Sequence, residues 1–308
     1  MAVAIIGAGL CGLTLAVKLT EDNQNVFILE KSKSVGGRMA TRRDGNFTYD
    51  HGAAYYSHSD SHPFLWNEKW SKSGKAKLWF AEDQKSYFCG QGGMTVLAKD
   101  LAVGQKINFQ EKVVKIVDHG ESLEILCELE KKYLAQKVIL TCPVPQSLEI
   151  LRSSNFDYPK SLDEIVYAKA LVGLFQMESE LQNDFDFHFK KPGSYIYSIS
   201  NNQSKGLSQA PSITVIMNPQ WSHDHFDQED SVTLNQIQIE LQKYFQGKVR
   251  IQSSQLKKWR YSHPETGYSE NHVSLLNGRV TLAGDGFGGG SLGGATRSAI
   301  SVFESGNF

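Results

Sequence analysis

The hydrophobic pattern at the amino terminus predicts a strand, a helix and a second strand within about 30 residues. Residues 2–6 (AVAII) form a short apolar run, typical of a strand that is buried on both faces. Apolar residues then recur at helical spacing from Leu10 to Val17, and we expect this helix to end near Asp22. Residues 26–29 (VFIL) form a second buried run, which completes a βαβ unit.

The stretch 112–141 shows a different pattern. Apolar and polar positions alternate on both sides of the turn-like residues 118–121, which predicts an antiparallel hairpin. Residues 138–140 return to a buried strand. Pro143 and Pro145 end it, because proline cannot continue a central ladder.

The region between about 160 and 270 mixes both periodicities and contains no nucleotide-binding motif. It therefore indicates a second domain, inserted in the first and facing the substrate. Its predicted elements are strands at 165–177, 194–200 and 212–217 and a helix at 229–246 that Gly247 ends.

Composition and charge narrow the class of protein. The 308 residues are 40% hydrophobic and 21% charged, as in ordinary globular proteins, and the net charge is -1. This balance lacks the basic field that nucleic acid or an acidic membrane requires. The apolar stretch of residues 2–17 is too short to span a bilayer and lacks the positive residues of a signal peptide. We expect a cytoplasmic protein that binds neither nucleic acid nor membrane.

The cysteines indicate reduced thiols, not a metal knuckle or a disulfide framework. None lies within three residues of another, and a chain of this length does not need bridges to fold. The four are Cys11, Cys89, Cys127 and Cys142.

Residues 7–12 (GAGLCG) match G-x-G-x-x-G between the first predicted strand and helix. Glycine allows a tight turn there, and the helix amino terminus offers free N–H groups to a pyrophosphate. Glu30 ends the second strand, where a carboxylate can accept hydrogen bonds from ribose hydroxyls. A glycine turn beside a surface glutamate is the alternative, but the flanking strand and helix favour a dinucleotide.

Two further segments favour a flavin over a nicotinamide. In Gly36-Gly37-Arg38-Met39, the arginine can neutralise phosphate charge, although a polar loop with a chance arginine is the alternative. Residues 49–56 (YDHGAAYY) follow, and their small residues can lie against a flat ring.

The carboxyl-terminal segment repeats the glycine enrichment of the start. Of the 27 glycines, seven lie in residues 1–52 and seven between positions 284 and 294. Val280 to Ala283 form a short strand, and Asp285 follows it where α/β sheets bind ligands. We expect the final helix to begin at Gly293, with its positive end toward a flavin carbonyl. The alternative is a simple glycine-rich loop.

Together these motifs resemble the renalase-like branch of the FAD-dependent, amine-oxidase-type flavoproteins. Internal pieces at 90–102, 218–227 and 257–267 extend the resemblance over nearly the whole chain. It implies an α/β fold with a Rossmann-like FAD-binding domain of the glutathione-reductase type and an inserted mixed α+β substrate domain. The implied FAD-binding domain comprises 1–58, 90–158 and 272–308, and the substrate domain comprises 59–89 and 159–271.

The resemblance also implies a set of FAD contacts. Ala54 and Gly293 depart from the residues that many relatives carry there, which affects details of ring contact. Covalent flavin attachment uses a cysteine near the carboxyl terminus; the last cysteine here is Cys142, so we expect non-covalent FAD. The implied cofactor-binding residues are Gly7, Gly9, Leu10, Cys11, Gly12, Glu30, Lys31, Gly37, Arg38, Met39, Ala53, Ala54, Val113, Gly284, Asp285, Gly294 and Ala295.

For function, the resemblance implies an oxidase that passes hydride from a substrate carbon to flavin N5, with O₂ as acceptor giving H₂O₂. The implied substrate is a 2- or 6-dihydro isomer of NAD(P)H. No catalytic side chain is assigned, since the flavin carries the redox chemistry. Aromatic walls suit a planar substrate, and the pocket candidates are Trp221, Trp259, Tyr261, Tyr268 and Phe287.

Other functions remain open at this stage. They are an amine oxidase or other C–N or C–C oxidoreductase of the same superfamily, a nicotinamide-only Rossmann enzyme and a non-catalytic flavin-binding protein. No metal site is expected, because His223 and His225 read as solvated loop residues. The oligomeric state is not predicted.

Overall fold

The computed structural model describes residues 2–179, 195–245 and 249–306. The chain divides into two compact units whose segments interleave along the sequence. The first unit comprises Met1–Gly37, Ala98–Tyr167 and His263–Phe308, and the second comprises Arg38–Leu97 and Ala168–Ser262.

The strands, in chain order, are β1 (Ala2–Ile6), β2 (Asn25–Glu30), β3 (Thr41–Asp44), β4 (Phe47–Asp50), β5 (Tyr56–His58), β6 (Ala76–Glu82), β7 (Lys85–Gly90), β8 (Ile107–Phe109), β9 (Val113–Asp118), β10 (Leu123–Cys127), β11 (Lys132–Ala135), β12 (Lys137–Leu140), β13 (Tyr167–Met177), β14 (Ile196–Asn201), β15 (Ser212–Met217), β16 (Ile251–Pro264), β17 (Val273–Leu275) and β18 (Val280–Leu282). The α-helices are α1 (Leu10–Glu21), α2 (Asn67–Lys72), α3 (Met94–Ala102), α4 (Val144–Ser153), α5 (Pro219–His225), α6 (Asp230–Tyr244) and α7 (Ser291–Glu304), and short 3₁₀ helices lie at Lys160–Glu164 and Leu276–Gly278.

The first unit is built on a sheet with strand order β17-β18-β12-β1-β2-β8. All neighbours pair in parallel except β17 and β18, which are antiparallel. Apart from their first one or two residues, the central strands are buried, which explains their continuous apolar runs. Helices α1 and α7 pack against each other beside this sheet. The predicted βαβ unit at the amino terminus is confirmed.

The predicted hairpin is also confirmed. Strands β9 and β10 pair antiparallel, and β11 extends them into a small separate sheet. The next strand, β12, belongs to the parallel sheet instead. Pro143 and Pro145 do more than end β12: Pro143 caps α4 and Pro145 lies in its first turn, where no N–H is needed.

The second unit contains sheets with strand orders β14-β15-β13-β16, β5-β7-β6 and β3-β4. The predicted strands at 165–177 and 212–217 correspond to β13 and β15, and helix α6 packs on β15. Two of the predicted elements extend beyond the described residues. They are the strand predicted at 194–200, at residue 194, and the predicted helix with its end, at residues 246–247.

Several elements differ from the sequence expectation. The strands between residues 41 and 90 and helix α3 are not predicted by any clear period. His223 and His225 lie on helix α5 and not in a loop. Helix α7 begins at Ser291, two residues before Gly293, because Gly290 with φ 77° makes the left-handed turn that precedes it.

The compact units do not follow the expected domain ranges at every boundary. Residues 38–58 and 90–97, expected in the FAD-binding domain, fall in the second unit. The assignment of one domain to FAD and the other to substrate stays a prediction.

Candidate functional site

The carboxyl ends of neighbouring parallel strands meet at one edge of the first unit's sheet. The Gly7 N–H donates to the Leu29 carbonyl at 2.9 Å, and the Thr141 N–H donates to the Ile6 carbonyl at 3.0 Å. The segments that follow β1, β2, β12 and β18 therefore start on one level. This edge is where open α/β sheets bind ligands.

The glycine loop after β1 is shaped partly by the protein and partly left open. Gly7 has φ 109°, a conformation that side chains disfavour. A Cβ at Gly12 would overlap the Gly7 carbonyl and lie 2.8 Å from Thr141 Oγ1. A Cβ at Gly9 would have no described heavy atom within 4 Å. The space at Gly9 fits a close ligand, whereas Gly7 and Gly12 are required by the fold.

Helix α1 begins directly after Gly9, and no described side chain caps it. Its free N–H groups and positive dipole end suit a pyrophosphate. Cys11 lies in this first turn without adding negative charge, since burial and the nearby Asp285 carboxylate raise the pKa of its thiol. The Cys11 thiol therefore adds no negative charge at the start of α1.

Glu30 is 7% exposed at the end of β2. Its Oε2 accepts a hydrogen bond from the Ala8 N–H at 2.7 Å, and its Oε1 accepts one from the Ser32 N–H at 2.8 Å. Each oxygen keeps a further lone pair, so the carboxylate can still accept a ribose hydroxyl. Glu30 thus holds the glycine loop through the Ala8 N–H and can also accept a hydrogen bond from a nucleotide ribose. The adjacent Lys31 is exposed and donates to Gln146 at 3.3 Å.

Asp285 occupies the corresponding place after β18 and is buried. Its Oδ1 accepts from the Tyr167 hydroxyl at 3.1 Å. The preceding Gly284 has φ 129°, and its N–H donates to Ser298 Oγ on α7 at 2.8 Å. A Cβ at Gly294 would lie 2.8 Å from the Gly288 carbonyl oxygen. Helix α7 therefore starts tightly against the loop that carries Asp285.

Three other expected contacts of this unit also have defined places. Val113 is buried at the start of β9, opposite Cys127 of β10. Ala295 is buried in the first turns of α7. Gly37 lies close to the glycine loop, and a Cβ there would come 3.7 Å from the Gly9 Cα.

The remaining expected FAD residues lie in the second unit, where two segments run side by side. The Ala53 N–H donates to the Arg38 carbonyl at 2.8 Å. A Cβ at Gly52 would lie 2.8 Å from the Arg38 carbonyl carbon, so glycine is required there. The Arg38 guanidinium is half-buried and donates to the Ser262 carbonyl at 3.1 Å, while Met39 is a core side chain.

A buried ion pair that sequence reasoning missed holds the next residue, Ala54. Lys205 Nζ donates to Asp50 Oδ2 at 2.7 Å and to the Ala54 carbonyl at 2.6 Å, and both charged side chains are 1% exposed. Asp50 Oδ1 also accepts from Thr41 Oγ1 at 2.6 Å and from the Met94 N–H at 2.9 Å. Asp50 belongs to the YDHGAAYY motif, but nothing near Lys205 in the sequence signals this contact.

Sequence reasoning also missed a group of half-buried aromatic rings in the second unit. Phe80 and Tyr87 stack with centroids 4.4 Å apart, and Tyr55 meets Tyr87 edge-on at 5.0 Å. A bulge between Leu78 and Phe80 interrupts the register of β6, and the Trp79 ring lies 4.6 Å from Lys205 Nζ. Burial raises the pKa of Tyr55 to about 12. We call Tyr55, Trp79, Phe80 and Tyr87 the aromatic cluster.

The predicted pocket aromatics are divided between the two units. Trp221 lies in the apolar core of the second unit, stacked on His225 at 4.0 Å. Trp259 packs on a small core cluster. Tyr261 is half-buried on β16. Tyr268 and Phe287 belong to the first unit and meet edge-on at 5.7 Å.

His51 is a further residue that the sequence reading passed over. The Trp259 Nε1 donates to its carbonyl at 2.7 Å, and the two rings stack at 5.6 Å. Burial first, and then the charge of Lys257, lower the pKa of His51 to about 4. The imidazole is therefore neutral at physiological pH.

Neither a metal centre nor a thiolate is built into the described residues. Within 2–179, 195–245 and 249–306, no group of three or more His, Cys, Asp or Glu side chains could hold a metal ion. All four cysteines are free, and burial raises the pKa of each thiol, to about 12 at Cys127. In the part of the chain that the structure describes, no helix is long and apolar enough to cross a membrane.

Known proteins resemble this chain in sequence over a short segment. It is 43% identical over 54 residues to 4,4'-diapophytoene desaturase (4,4'-diaponeurosporene-forming) of Staphylococcus aureus (strain MRSA252), covering 18% of this chain and 11% of the desaturase. The corresponding enzyme of Staphylococcus haemolyticus (strain JCSC1435) is 42% identical over 52 residues, 17% of this chain and 10% of that protein. The chain thus matches about a tenth of the length of these relatives.

Solved structures match over the full length. A protoporphyrinogen oxidase-like protein from Exiguobacterium sp. 255-15 superposes with a TM-score of 0.73 at 13% identity, covering 99% of this chain and 98% of the other. A protein from Pyrococcus furiosus gives a TM-score of 0.65 at 16% identity, with 99% and 97% coverage. At these identities the likeness shows the shared fold.

Two family profiles cover the chain between them. Residues 5–67 match an NAD(P)-binding Rossmann-like domain, and residues 70–302 match the flavin containing amine oxidoreductases. The Rossmann-like part of the predicted fold is confirmed. Because the second profile spans most of the sequence, the chain belongs to the flavin-containing amine oxidoreductase family.

Proposed function

We propose that the protein binds FAD non-covalently, as in the renalase-like branch, and oxidises 2- or 6-dihydro isomers of NAD(P)H with O₂ as acceptor. The observation that carries the cofactor assignment is the glycine loop. The space beside Gly9 can hold a ligand. Gly7 and Gly12 are instead required by the fold, Gly7 by its φ of 109° and Gly12 by its contact with the Gly7 carbonyl. The proposal includes a glutathione-reductase-type FAD domain with an inserted substrate domain.

Each proposed FAD contact has a physical role. The amino terminus of α1 would bind the pyrophosphate, with Arg38 adding positive charge. Glu30 would accept hydrogen bonds from the adenosine ribose, and Asp285 from the ribityl chain. The small residues Ala53 and Ala54 would lie along the isoalloxazine, and the backbone at Val113 would meet the adenine.

The chemistry balances without a metal or a catalytic cysteine. A bound flavin would supply a hydride acceptor at N5, so that a dihydronicotinamide isomer, O₂ and one proton give NAD(P)⁺ and H₂O₂. The protein's own residues would orient the planar ring and exclude water. The raised thiol pKa values leave the cysteines protonated and outside this reaction.

The second unit supports a planar substrate more than an ammonium ion. The aromatic cluster begins at Tyr55, directly after the residues proposed to meet the flavin. Asp50, the carboxylate of the same segment, is already neutralised by Lys205 at 2.7 Å. It is therefore a poor counter-ion for a substrate amine, whereas flat rings pack well on aromatic walls.

Anaerobic reduction of the purified protein tests this proposal. We expect a yellow protein that releases free FAD in acid. The 2- and 6-dihydro isomers should bleach the flavin far faster than 4-dihydro-NAD(P)H or benzylamine, because an amine cannot reproduce the ring contacts. Air should then restore the colour with formation of peroxide.

Other results would change the assignment. Rapid bleaching by benzylamine alone would favour an amine oxidase or another C–N or C–C oxidoreductase. Colour that stays with the precipitated protein would contradict non-covalent binding. A protein that takes up no flavin after supplementation with FAD would contradict the cofactor itself, and one that no donor bleaches would favour a flavin-binding protein without this activity.

A further inference from the structure

We propose that Lys205 is a positioning residue. Its buried ammonium group, held in place by Asp50, fixes the Ala54 carbonyl and thereby the segment from His51 to Tyr55. The link to catalysis rests on the proposed function, which places Ala53 and Ala54 beside the flavin. The structural part of the proposal concerns the second unit alone.

The geometry brings together residues that are far apart in sequence. Lys205 lies in the turns between β14 and β15, where its N–H donates to the Asn201 carbonyl at 3.0 Å. From there its side chain reaches Asp50, 155 positions away, and the Ala54 carbonyl, 151 positions away. The lysine thus joins two loops of the second unit through one charged atom.

The charge on Lys205 is compensated on several sides. An ammonium ion that is 1% exposed needs a counter-charge and hydrogen-bond acceptors to offset the loss of its hydration. Asp50 supplies the counter-charge, the Ala54 carbonyl supplies an acceptor, and the face of Trp79 lies 4.6 Å away. Thr41 and Met94 hold the far side of the Asp50 carboxylate, so the counter-charge is itself fixed.

Lys205 contacts the Ala54 carbonyl, which lies at the end of a segment that is otherwise held by backbone hydrogen bonds. The His51 N–H donates to the Ala40 carbonyl at 3.1 Å, and the Ala53 N–H donates to the Arg38 carbonyl at 2.8 Å. At Ala54 the holding group is a side chain. Fixing this carbonyl sets the plane of the peptide that leads into Tyr55, the first ring of the aromatic cluster. Lys205 therefore controls where Ala54 and that ring lie.

A merely stabilising ion pair would behave differently. Replacing a buried pair by neutral groups is often harmless to stability, since the desolvation of both charges is avoided. A positioning role predicts that a neutral replacement keeps the fold and still releases Ala54. The two roles can therefore be separated by removing both charges together.

The test compares Lys205→Met, the double variant Lys205→Met with Asp50→Asn, and Lys258→Met. The double variant keeps acceptors for Thr41 and Met94 but leaves no buried charge, so it guards against misfolding of the single variant. Lys258 is the matched control. Its ammonium also donates to two backbone carbonyls, those of Phe226 and Gln228, both at 2.9 Å.

Hydrogen exchange of the flavin-free protein is the first readout. In the double variant we expect amides of residues 52–55 to exchange at least tenfold faster than in the wild type, with β13 and β15 unchanged. Lys258→Met should leave residues 52–55 unchanged. Wild-type exchange at 52–55 in the double variant, or equally faster exchange throughout the second unit, would overturn the positioning role.

Binding of FAD is the second readout. We expect the double variant to bind FAD several-fold more weakly and to show a shifted visible spectrum, while Lys258→Met matches the wild type. If the wild type itself binds no FAD, the proposed function fails, but the exchange measurement still decides the role of Lys205. If exchange rises at 52–55 while FAD affinity and spectrum stay unchanged, the link to the flavin is wrong.

Discussion

The glycine loop of the first unit and the segment of residues 50–54 in the second unit are held in different ways. Residues 7–12 of the first unit are held by backbone geometry: Gly7 takes φ 109°, and Gly12 packs directly on the Gly7 carbonyl. Residues 50–54 of the second unit depend on a side chain that comes from 155 positions away. The first loop is specified by its own residues, and the second by a partner that only folding brings near.

The difference predicts which changes are most damaging. A side chain added to the glycine loop creates local crowding, which the backbone can partly relieve by small shifts. Removing one partner of a buried ion pair leaves a charge that no small shift can solvate. The second loop should therefore be the more sensitive to a single substitution.

Asp50→Asn should cause the largest loss. It leaves the Lys205 ammonium without a counter-charge at 1% exposure, which costs about 3–5 kcal/mol in the free energy of unfolding. Urea denaturation with a common slope measures this loss. The double variant with Lys205→Met should recover part of it, since contacting residues couple. A loss no larger than that of a surface substitution would show that the pair is not the main support of this loop.

Gly12→Ala and Gly9→Ala sharpen the contrast within the first loop. Gly12→Ala should lower the free energy of unfolding by about 3 kcal/mol, because its Cβ overlaps the Gly7 carbonyl. Gly9 has φ -78°, which any residue can adopt, so Gly9→Ala should change that free energy by less than about 0.5 kcal/mol. It should nevertheless weaken FAD binding by about tenfold or more, equivalent to about 1.4 kcal/mol. Equal FAD affinity in Gly9→Ala and wild type would argue against a ligand at this position.

His51 should make the second unit sensitive to mild acid. Its pKa is lowered from 6.5 to about 4 in the folded state by burial, so the unfolded chain binds a proton first as the pH falls. The stabilising effect of the neutral imidazole is complete above pH 6.5 and is lost by about pH 4, a difference of about 3 kcal/mol. His51→Asn should flatten the pH dependence of the free energy of unfolding in this window. An unchanged slope would show that His51 titrates normally.

Loss of the Asp118–Arg279 ion pair should change the free energy of unfolding least. This pair of the first unit is partly solvated, with side chains 26% and 29% exposed. The guanidinium lowers the pKa of Asp118 from 3.8 to about 2. Its stabilising effect is present above pH 3.8 and is lost as the pH falls through 2. Arg279→Met should cost about 1 kcal/mol at pH 7 and less at pH 2.5. The same cost at both pH values would contradict an electrostatic origin.

Local patterns predicted the elements that local physics decides. Residues 2–6, 10–21 and 25–30 fold as expected because a buried strand, an amphipathic helix and a glycine turn each involve neighbours in sequence. The start of α7 was two residues off, since Gly290 and Gly293 are equally suited to a turn by type. Trp221 could not be assigned from sequence alone. The local pattern around an aromatic residue is the same whether the ring lines a pocket or, as here, packs in a core.

The amino-acid pattern alone predicts the βαβ unit, its glycine loop, the carboxylate that ends β2 and the one that follows β18, because each depends on residue type and short-range spacing. Only the tertiary structure decided that Lys205 would pair with Asp50 and hold Ala54, and that Tyr55, Trp79, Phe80 and Tyr87 would form the aromatic cluster. These contacts join loops and strands of several sheets. The packing of the whole second unit brings these side chains together, and no hydrophobic period along the chain predicts the contacts.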